Sequence, residues 1–445
     1  MSGQTVLISP LSWGFGHAGR MIPLALELNR RGCRVIFAAD AQLLKLAEKE
    51  LKGVTLIEIP GLRIRYSRYL PQYFSIAVQL PHLVISAIRE HRVLRRLAVE
   101  FKPSVIISDN RFGFYNREIF SAYITHQIRI PFPALLRFAE PLAAWIHRAV
   151  INRYDLCLVP DYTGSENLTG RLSHGKRLPD NIFYMGPLSR FAFSRSEGET
   201  GPVPRPFICL ILSGPEPQRS LFLEKVMAAL GPVLVQEMDR LPEQAFSEAA
   251  GQSPSFHEVT GSPGKAFRES ASGIPGKMHL VILSATPVTL PVQKSLPRAG
   301  LIIAPDTARM RRMITSSSLV ITRSGYTSVM ELVSLGRGAV LVPTPGQTEQ
   351  EYLGGYLNGR YGFITLEQKR LGQLPEIVAN HSDHPQAIPA GNDKLAKDHP
   401  PAVQRGKDTV STASAALTQA SLEEENTFAD ALFEKAINLL LEKKQ

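Results

Sequence analysis

The residue types best suited to bind an anionic ligand cluster between positions 319 and 356. The β-branched run at 319–322 predicts a buried strand, and a turn rich in glycine and hydroxyl groups follows it. A helix is predicted next, at 329–335, and its first N–H groups have no partner within the helix. Their partial positive charge attracts phosphate. The candidate phosphate-binding residues are Arg323, Ser324, Gly325, Thr327 and Ser328.

Groups that suit sugar hydroxyls follow this turn. Glu331, one turn into the predicted helix, can accept hydrogen bonds from a vicinal diol such as a ribose. A second strand, predicted at 339–342, ends in a proline-containing loop at 343–350. Phosphate, ribose and sugar in this order describe a nucleotide sugar. Taken singly, each residue is better interpreted as a turn, cap or solvated residue, and their co-occurrence favours a ligand site. The loop side chains that would contact the sugar are Gln347, Glu349 and Gln350.

This stretch resembles the C-terminal domain of family 28 glycosyltransferases, which include the lipid II-forming UDP-N-acetylglucosaminyltransferases of peptidoglycan synthesis. The resemblance lies in the glycine-containing turn, in the glutamate of the following helix and in the glutamine that ends the loop. It implies that Glu331 holds the donor ribose and that Gln350 lies near the donor sugar. The chain differs from the better-known members at Tyr326 and at 344–346, so the resemblance leaves the sugar open.

A second glycine-rich loop, at 10–19, follows the first predicted strand and precedes a helix predicted at about 20–31. Its glycines spell the G-x-G-x-x-G pattern of dinucleotide-binding folds, and Asp40 lies near the distance expected for a ribose-binding acid. Residues 10–13 separate the strand from the first glycine, however, so the loop is too wide for a tight pyrophosphate turn. The glycines concerned are Gly14, Gly16 and Gly19.

The 10–19 loop instead is similar to the N-terminal loop of the same glycosyltransferases. That similarity implies that its glycines face a cleft between two domains and that His17 lies near the diphosphate and the acceptor. The alternative is a histidine that caps the helix. Asp109 and His126 follow strands predicted at 103–108 and 121–125. Because carboxyl ends of parallel strands share one sheet edge, any of His17, Asp109 and His126 can be the general base.

The second half of the chain opens like the first. A strand predicted at 207–212 is followed by a glycine-containing loop and a helix from about 220 to 230. This repetition predicts an α/β protein with two doubly wound open-sheet domains facing a cleft, the glycosyltransferase B-fold. The loop adds second-tier candidates for binding the donor phosphate, namely Ser213, Gly214 and Arg219.

Composition places the domain boundaries. Residues 1–190 are predicted to form an acceptor-binding Rossmann-like domain, and 191–206 have the Pro, Gly, Ser and charge content of a linker. The nucleotide-sugar-binding domain is predicted at 207–426, with mobile insertions at 241–279 and 379–420. An amphipathic helix at 427–445 is expected to cross back to the first domain, as the family resemblance implies.

Bulk properties favour a cytoplasmic protein. Of 445 residues 44% are hydrophobic, no apolar run reaches the length of a membrane span, and the N-terminus lacks the pattern of a signal peptide. Three isolated cysteines argue against a disulfide framework and a zinc site. Neither a cofactor nor a metal is expected, since no Asp-x-Asp occurs to hold a metal on a diphosphate.

The net charge of +10 has two explanations: binding to an anionic partner, or solubility alone. No nucleic-acid-binding motif accompanies the charge, so a nucleic acid partner is not expected. An anionic membrane surface or a diphosphate explains it equally well. Residues 128–153 mix large apolar side chains with arginines, which suits either a peripheral helix on the inner face of the cytoplasmic membrane or a helix packed on a sheet.

The sequence therefore predicts a glycosyltransferase that moves a sugar from a nucleotide donor, with UDP as the expected nucleotide, to an acceptor hydroxyl. Inversion at the anomeric carbon is implied by the family resemblance. The acceptor is expected to be a carbohydrate or a lipid-linked molecule of the cell envelope. Three alternatives stay open: a nucleotide-sugar hydrolase, a non-catalytic nucleotide-sugar-binding subunit and a Rossmann oxidoreductase.

Overall fold

The computed structural model describes residues 3–11, 15–61, 80–191, 207–236, 257–258, 279–286, 288, 299–303, 305–381 and 419–442. Gly14, residues 192–206 of the predicted linker, and most of both predicted insertions lie outside the described residues. The described chain forms two seven-stranded sheets, one in each half of the sequence. We call each sheet with its flanking helices the N-terminal and the C-terminal domain.

The N-terminal sheet is parallel throughout, with the order β3-β2-β1-β4-β5-β6-β7. Its central strands are short apolar runs with both faces buried, as expected where helices cover a parallel sheet. Pro10 of β1 pairs with Asp109 of β4, so the loops that follow these two strands emerge side by side. The strands are β1 (Thr5–Pro10), β2 (Arg34–Ala39), β3 (Thr55–Glu58), β4 (Val105–Asp109), β5 (Phe120–Ile124), β6 (Leu156–Val159) and β7 (Ile182–Tyr184).

Within the part of the chain that the structure describes, four α-helices accompany this sheet: α1 (Phe15–Arg30), α2 (Ala41–Glu50), α3 (Leu80–Phe101) and α4 (Glu140–Ile151). A 3₁₀ helix at Ala134–Ala139 leads into α4. The start predicted for α1 was wrong, because the helix begins within the glycine-rich loop and includes Gly16, His17 and Gly19. Asp40 caps α2 by accepting hydrogen bonds from the backbone of Gln42 and Leu43, which gives it a structural role.

The C-terminal sheet has the order β14-β13-β12-β8-β10-β11-β9. Its pairs are parallel except that of the two-residue β9, which runs antiparallel to β11. The strands β8 and β12 are buried along their whole length and form the centre of this domain. The strands are β8 (Phe207–Leu212), β9 (His257–Glu258), β10 (His279–Ser284), β11 (Ala299–Ile303), β12 (Leu319–Thr322), β13 (Ala339–Leu341) and β14 (Phe363–Thr365).

The helices of this half are α5 (Gln218–Gln236), α6 (Thr307–Ser316), α7 (Tyr326–Ser334), α8 (Thr348–Leu357), α9 (Leu374–His381) and α10 (Gln419–Glu442). Asp306 caps α6 by accepting a hydrogen bond of 2.7 Å from the backbone of Arg309. The predicted start of α7 at 329 was three residues late, so Thr327 and Ser328 belong to its first turn. The predicted 343–350 loop is likewise shorter, because Glu349 and Gln350 lie in the first turn of α8.

The last helix, α10, lies against the N-terminal domain. Its Asn438 accepts a hydrogen bond from Arg31 at 3.0 Å, and Glu434 forms an ion pair with the same arginine. The side chain of Gln4 donates to the carbonyl of Leu441 at 3.2 Å. The two ends of the described chain therefore meet in one domain. Among the described helices, none combines the length and apolarity needed to cross a membrane.

Candidate active site

The amino ends of α1 and α7 face each other across the cleft between the domains. A Cβ built on Gly16 would lie 2.7 Å from Oγ1 of Thr327, so only glycine permits this approach. Each helix end carries N–H groups without a partner inside the helix, and the contact between Gly16 and Thr327 brings the two partial positive charges close together. Gly325 caps α7 with an extended backbone and offers no side-chain hydrogen bond there. The arrangement suits an anion bound between the two domains.

Three side chains of the N-terminal domain form a compact ionic cluster beside these helix ends. Nδ1 of His17 lies 2.9 Å from Oδ2 of Asp109, and Nε of Arg20 donates to the same oxygen at 3.0 Å. A second Arg20 nitrogen bonds Oδ1, so the guanidinium contacts both carboxylate oxygens. Asp109 and Arg20 are buried, whereas 15% of the His17 side chain is exposed. His17 is therefore the member of the cluster that a ligand can reach.

The protonation states follow from these contacts. Burial alone would raise the pKa of Asp109, but Arg20 and His17 more than offset it and lower this pKa to about 2. Burial lowers the pKa of His17 below 6.5, although the Asp109 carboxylate opposes this shift. At neutral pH a neutral imidazole therefore faces an ionised carboxylate. Nδ1 of His17 also lies 2.7 Å from a guanidinium nitrogen of Arg20. In the tautomer with its proton on Nδ1, the imidazole donates a hydrogen bond to the carboxylate and keeps its lone pair on Nε2.

His126 connects the two domains. Its Nε2 lies 3.0 Å from Oε1 of Glu349 in α8, and its Nδ1 lies 3.1 Å from a guanidinium nitrogen of Arg20. The ring stacks on Tyr326, with 4.3 Å between centroids and 4° between planes. Since Arg20 can only donate, Nδ1 of His126 accepts and Nε2 donates to Glu349. Both nitrogens are thus engaged. Burial would raise the pKa of Glu349, but His126 more than offsets it and lowers this pKa.

Glu331 points from α7 toward the N-terminal domain. Its Oε1 lies 2.9 Å from Nε of Arg190 in an ion pair, and a Cβ built on Gly19 would lie 3.8 Å from the same oxygen. Burial raises the pKa of Glu331, and Arg190 opposes the shift. Glu331, the residue predicted to bind the donor ribose, therefore lies at the domain interface beside α1.

Gln350 orders the loop that precedes α8. Its side-chain carbonyl accepts a hydrogen bond from the backbone of Thr344 at 2.9 Å, and its backbone carbonyl accepts one from Ser324 at 2.8 Å. A Cβ on Gly325 would lie 3.7 Å from Nε2 of Gln350, so this amide group lies beside the start of α7. Gln347 caps α8 without a side-chain hydrogen bond. Ser328 is half-buried in the first turn of α7.

The structure places Arg323 in the interior of the C-terminal domain and away from the cleft. Its guanidinium donates to the backbone carbonyls of Val342, Pro343 and Gln218, and it lies 4.1 Å from the centre of the Phe222 ring. Burial lowers its pKa to about 9. The role as a donor-binding residue that the sequence predicts for Arg323 is therefore replaced by a structural one, because its charge is occupied by these carbonyls.

The second-tier candidates lie at the carboxyl end of β8. Gly214 has a φ of +95°, a conformation that favours glycine, and the space around its Cβ position is open. Arg219 forms an ion pair of 2.6 Å with Glu216 and a hydrogen bond with Thr286. Ser213 is half-buried at the end of the strand. Among the described residues no group of three or more metal-ligating side chains occurs.

Sequence reasoning missed Arg20, Arg190 and Tyr326 as residues of this region. Arg20 carries a usable signal, because it lies three residues after His17 and therefore on the same face of α1. Arg190 and Tyr326 carry none, since each contacts a residue far away in the sequence. Tyr326 donates a hydrogen bond to the carbonyl of Pro160 in the other domain.

Comparison with known proteins agrees with this architecture. Residues 284–404 match the Glycosyltransferase family 28 C-terminal domain. An uncharacterized glycosyltransferase of Methanosarcina acetivorans is 23% identical over 357 residues, which cover 76% of this chain and 79% of that protein.

Two solved structures share the fold at low sequence identity. The calicheamicin glycosyltransferase CalG4 superposes with a TM-score of 0.56 and 11% identity, covering 100% of both chains. The complex of S. aureus MnaA with UDP superposes with a TM-score of 0.52 and 11% identity, covering 89% of this chain and 94% of that one. With its two facing parallel-sheet domains and a C-terminal domain similar to that of family 28, the chain is a glycosyltransferase with the glycosyltransferase B-fold, an enzyme that transfers a sugar from a nucleotide sugar.

Proposed function

We propose that this enzyme transfers a sugar from a UDP-sugar to the hydroxyl group of a lipid-linked or other envelope acceptor, with inversion at the anomeric carbon. The observation that carries the proposal is the convergence of two helix amino ends beside the His17–Asp109 pair. One part of this arrangement suits a diphosphate, and the other suits removal of a proton from a hydroxyl group.

The donor is proposed to lie along the cleft face of α7. Its diphosphate lies between the amino ends of α1 and α7, near Gly16 and the turn that begins α7. The ribose lies at Glu331, and the sugar lies near Gln350 and Glu349. A carboxylate at the ribose position favours a nucleotide with two vicinal hydroxyls, so UDP is expected to bind more tightly than thymidine diphosphate, which lacks the 2′-hydroxyl. Ser213, Gly214 and Arg219 remain second-tier phosphate ligands. The α7 residues that would contact the diphosphate are Ser324, Gly325, Thr327 and Ser328.

His17 is the general base in this proposal. Nε2 takes the proton of the acceptor hydroxyl while the acceptor oxygen bonds to the anomeric carbon of the donor. The bond from that carbon to the diphosphate breaks, and UDP leaves with the bonding electrons. Asp109 holds the imidazole through Nδ1 and stabilises the positive charge that develops on it. The opposed helix ends stabilise the negative charge on the leaving diphosphate.

His126 and Asp109 are less suited to the role of base. Both nitrogens of His126 are hydrogen-bonded, so it has no lone pair for an acceptor proton. Asp109 is fully buried and ionised down to a pH of about 2, which makes it a weak base. We assign His126 to positioning Arg20 and α8, and Asp109 to positioning His17.

An exposed apolar face supports a lipid-linked acceptor. The face comprises Leu135, Phe138, Leu142, Trp145 and Ile146, of which Leu135 is 86% and Trp145 is 67% exposed.

The packing of α4 and the surrounding charges support membrane docking of this face. For residues 128–153 the alternatives are a helix on a membrane surface and a helix packed on the sheet. Packing accounts for the inner side of α4, where His147 and Ile151 are buried, and leaves the outer side unexplained. Arg137 and Arg148 lie in the same segment, which suits an anionic membrane surface.

This face begins next to the boundary between the domains. Glu140, at the start of α4, lies 3.3 Å from Arg171, and the guanidinium of Arg171 lies 5.0 Å from the ring centre of Tyr352 in α8. A lipid-linked acceptor held at a membrane on this face would therefore approach the cleft from the bilayer.

The test is a thermal-shift titration with UDP, thymidine diphosphate, GDP, ADP and NAD, followed by product analysis with UDP-sugars. A ligand at a concentration of 100 Kd raises stability by about 2.7 kcal/mol, so the preferred nucleotide gives the largest shift. We expect UDP to give this shift and to lose most of it in Glu331→Ala and Gln350→Ala. Unchanged UDP affinity in both variants would overturn the donor site.

Product analysis separates the alternatives. Release of free sugar from a UDP-sugar without an acceptor would indicate a hydrolase. Binding of UDP without turnover, even with a lipid extract as acceptor, would indicate a non-catalytic binding subunit. A larger stabilisation by NAD would indicate an oxidoreductase. Glycolipid formation that requires both UDP-sugar and lipid extract supports the transferase.

A further inference from the structure

Arg190 is the charged partner of the proposed ribose ligand. It lies in the last described stretch of the N-terminal domain, and its Nε is 2.9 Å from Oε1 of Glu331 in α7. The side chains are 15% and 9% exposed, so solvent screens their interaction only partly. The ion pair with Arg190 involves Oε1 of Glu331, so Oε2 is the oxygen that would accept a hydrogen bond from a ligand.

The position of Arg190 is fixed by contacts on both sides of it. The backbone of Leu188 donates to the sulfur of Met330, the residue that precedes Glu331. The backbone carbonyl of Phe191 accepts a hydrogen bond of 3.1 Å from Arg311 in α6. A guanidinium nitrogen of Arg190 lies 2.8 Å from the sulfur of Met310. Arg190 is thus held against α6 and α7 by contacts within the protein.

We propose that Arg190 is a positioning residue that orients Glu331 so that the second carboxylate oxygen accepts a hydrogen bond from the 2′-hydroxyl of the donor ribose. Arg190 is then a determinant of the preference for ribonucleotide over deoxyribonucleotide donors. This inference rests on the proposed function, because it takes Glu331 as the ribose ligand.

Electrostatics gives the reason for a cation at this position. Burial favours the neutral form of Glu331, and the Arg190 guanidinium opposes it. Without Arg190 a larger fraction of Glu331 would be protonated, and its carboxyl group would be free to rotate. A protonated or misoriented carboxyl group is a poorer acceptor for a hydroxyl group. A nucleotide without the 2′-hydroxyl makes little use of this carboxylate, so its affinity should change little when Arg190 is replaced.

The test measures the affinities of UDP and 2′-deoxy-UDP for the wild type and for Arg190→Ala, Arg190→Gln and Arg190→Lys. Loss of one hydrogen bond to a charged group costs roughly tenfold in affinity, so the wild type is expected to prefer UDP by about that factor. In Arg190→Ala and Arg190→Gln we expect UDP affinity to fall roughly tenfold while 2′-deoxy-UDP affinity stays within about twofold. Arg190→Lys is expected to restore most of the preference, because it retains the charge.

Arg171→Ala is the matched control. Arg171 also reaches from the N-terminal domain to the C-terminal domain, where it lies over Tyr352 and away from Glu331. Its loss is expected to leave the preference for UDP over 2′-deoxy-UDP unchanged.

The outcomes separate this inference from the proposed function. Equal losses of UDP and 2′-deoxy-UDP affinity in both neutral variants would reduce Arg190 to a structural contact and overturn the inference alone. So would an intact preference in those variants. A wild-type protein that fails to bind UDP would overturn the donor site itself, and the inference with it.

Discussion

At the scale of single residues, one buried cation organises the candidate active site. Arg20 contacts both oxygens of Asp109 and one nitrogen of His126, and it lies beside Nδ1 of His17. Burial of a guanidinium is unfavourable unless it is paired, and here the Asp109 carboxylate and Nδ1 of His126 accept its hydrogen bonds. In return it keeps Asp109 ionised and orients both imidazoles. Removal of Arg20 would leave Asp109 buried without its main counter-charge.

The His17–Asp109 pair makes a prediction about the pH dependence of the reaction. Protonation of His17 removes the base, so kcat/KM is expected to fall on the acid side with an apparent pKa below 6.5, the direction that burial gives. In Asp109→Asn the carboxylate no longer raises the pKa of His17, so this acid limb should move to still lower pH while the maximal rate falls. The measurement is a pH profile of UDP release in the presence of acceptor.

Substitution of His17 measures how much the general base contributes to the rate. His17→Ala is expected to lower kcat by roughly 10²–10⁴-fold, the usual contribution of a general base. His82→Ala, an exposed histidine at the start of α3, is the control and should leave the rate unchanged. An acid limb that persists in His17→Ala would show that another group is the base.

At the scale of elements, a glycine sets the position of α1, and an exposed apolar side distinguishes α4. Gly16 lets α1 approach α7, and the approach brings two helix amino ends into one cleft. The outer side of α4, in contrast, carries large apolar side chains that stay exposed, because no other part of the described chain covers them. Exposed apolar groups of this size usually mark an interaction surface.

The approach of α1 and α7 predicts a large effect of one methyl group. In Gly16→Ala the added Cβ would lie 2.7 Å from Oγ1 of Thr327, so either this side chain or the two helices must shift. We expect UDP affinity to fall by tenfold or more, on the order of 1.4 kcal/mol. Gly355→Ala is the control, because nothing lies within 4 Å of its Cβ position. Isothermal titration with UDP measures the difference, and equal affinities in the two variants would contradict a donor site at this contact.

The apolar face of α4 predicts binding to anionic vesicles. The double variant Leu142→Asp, Trp145→Asp is expected to lose flotation with vesicles of phosphatidylcholine and phosphatidylglycerol, because two carboxylates cannot enter the acyl region. Val99→Asp changes a side chain that is 77% exposed on α3 and serves as the control. Flotation with phosphatidylcholine alone should be weaker than with the anionic mixture, since the arginines contribute through charge. Equal flotation of the double variant and the wild type would remove this face from consideration.

At the scale of the whole molecule, the cleft is defined by contacts that cross between the two sheets. The ion pairs His126–Glu349 and Arg190–Glu331 cross it beside the candidate site. Tyr356 adds a hydrogen bond of 3.0 Å to Asn167 farther along α8. The last helix, α10, belongs to the C-terminal part of the sequence but packs on the N-terminal domain. The chain therefore links its two domains at the linker and again through α10.

The docking of α10 predicts that its buried face stabilises the N-terminal domain. Ile437 and Leu440 are at most 2% exposed, and truncation of each to alanine is expected to cost about 2–5 kcal/mol. The double variant should lower the midpoint of thermal unfolding by several degrees or more. Glu442→Ala, at an exposed position of the same helix, should leave it nearly unchanged. An unchanged midpoint of thermal unfolding in the double variant would show that the packing of α10 does not stabilise the N-terminal domain.

Local sequence patterns were enough to predict the two-sheet fold and the stretch that carries the family 28 match. They also placed the strands predicted at 103–108, 121–125, 207–212, 319–322 and 339–342 to within two residues. These features follow from local patterns, because buried parallel strands are short apolar runs and a glycine-containing turn precedes each cleft helix. Boundaries of α1 and α7 were missed, since glycine and hydroxyl residues suit a turn and the first turn of a helix equally well.

Tertiary packing sets which residues meet in the cleft. Arg20, Arg190 and Tyr326 owe their places to partners between 89 and 166 residues away, and no local pattern encodes such distances. Arg323 has the charge of a phosphate ligand, yet its direction into the interior is set by the packing of β12 against Phe222 and the neighbouring loops. Residue types therefore specify what chemistry is available, whereas the packing of two domains determines which groups perform it.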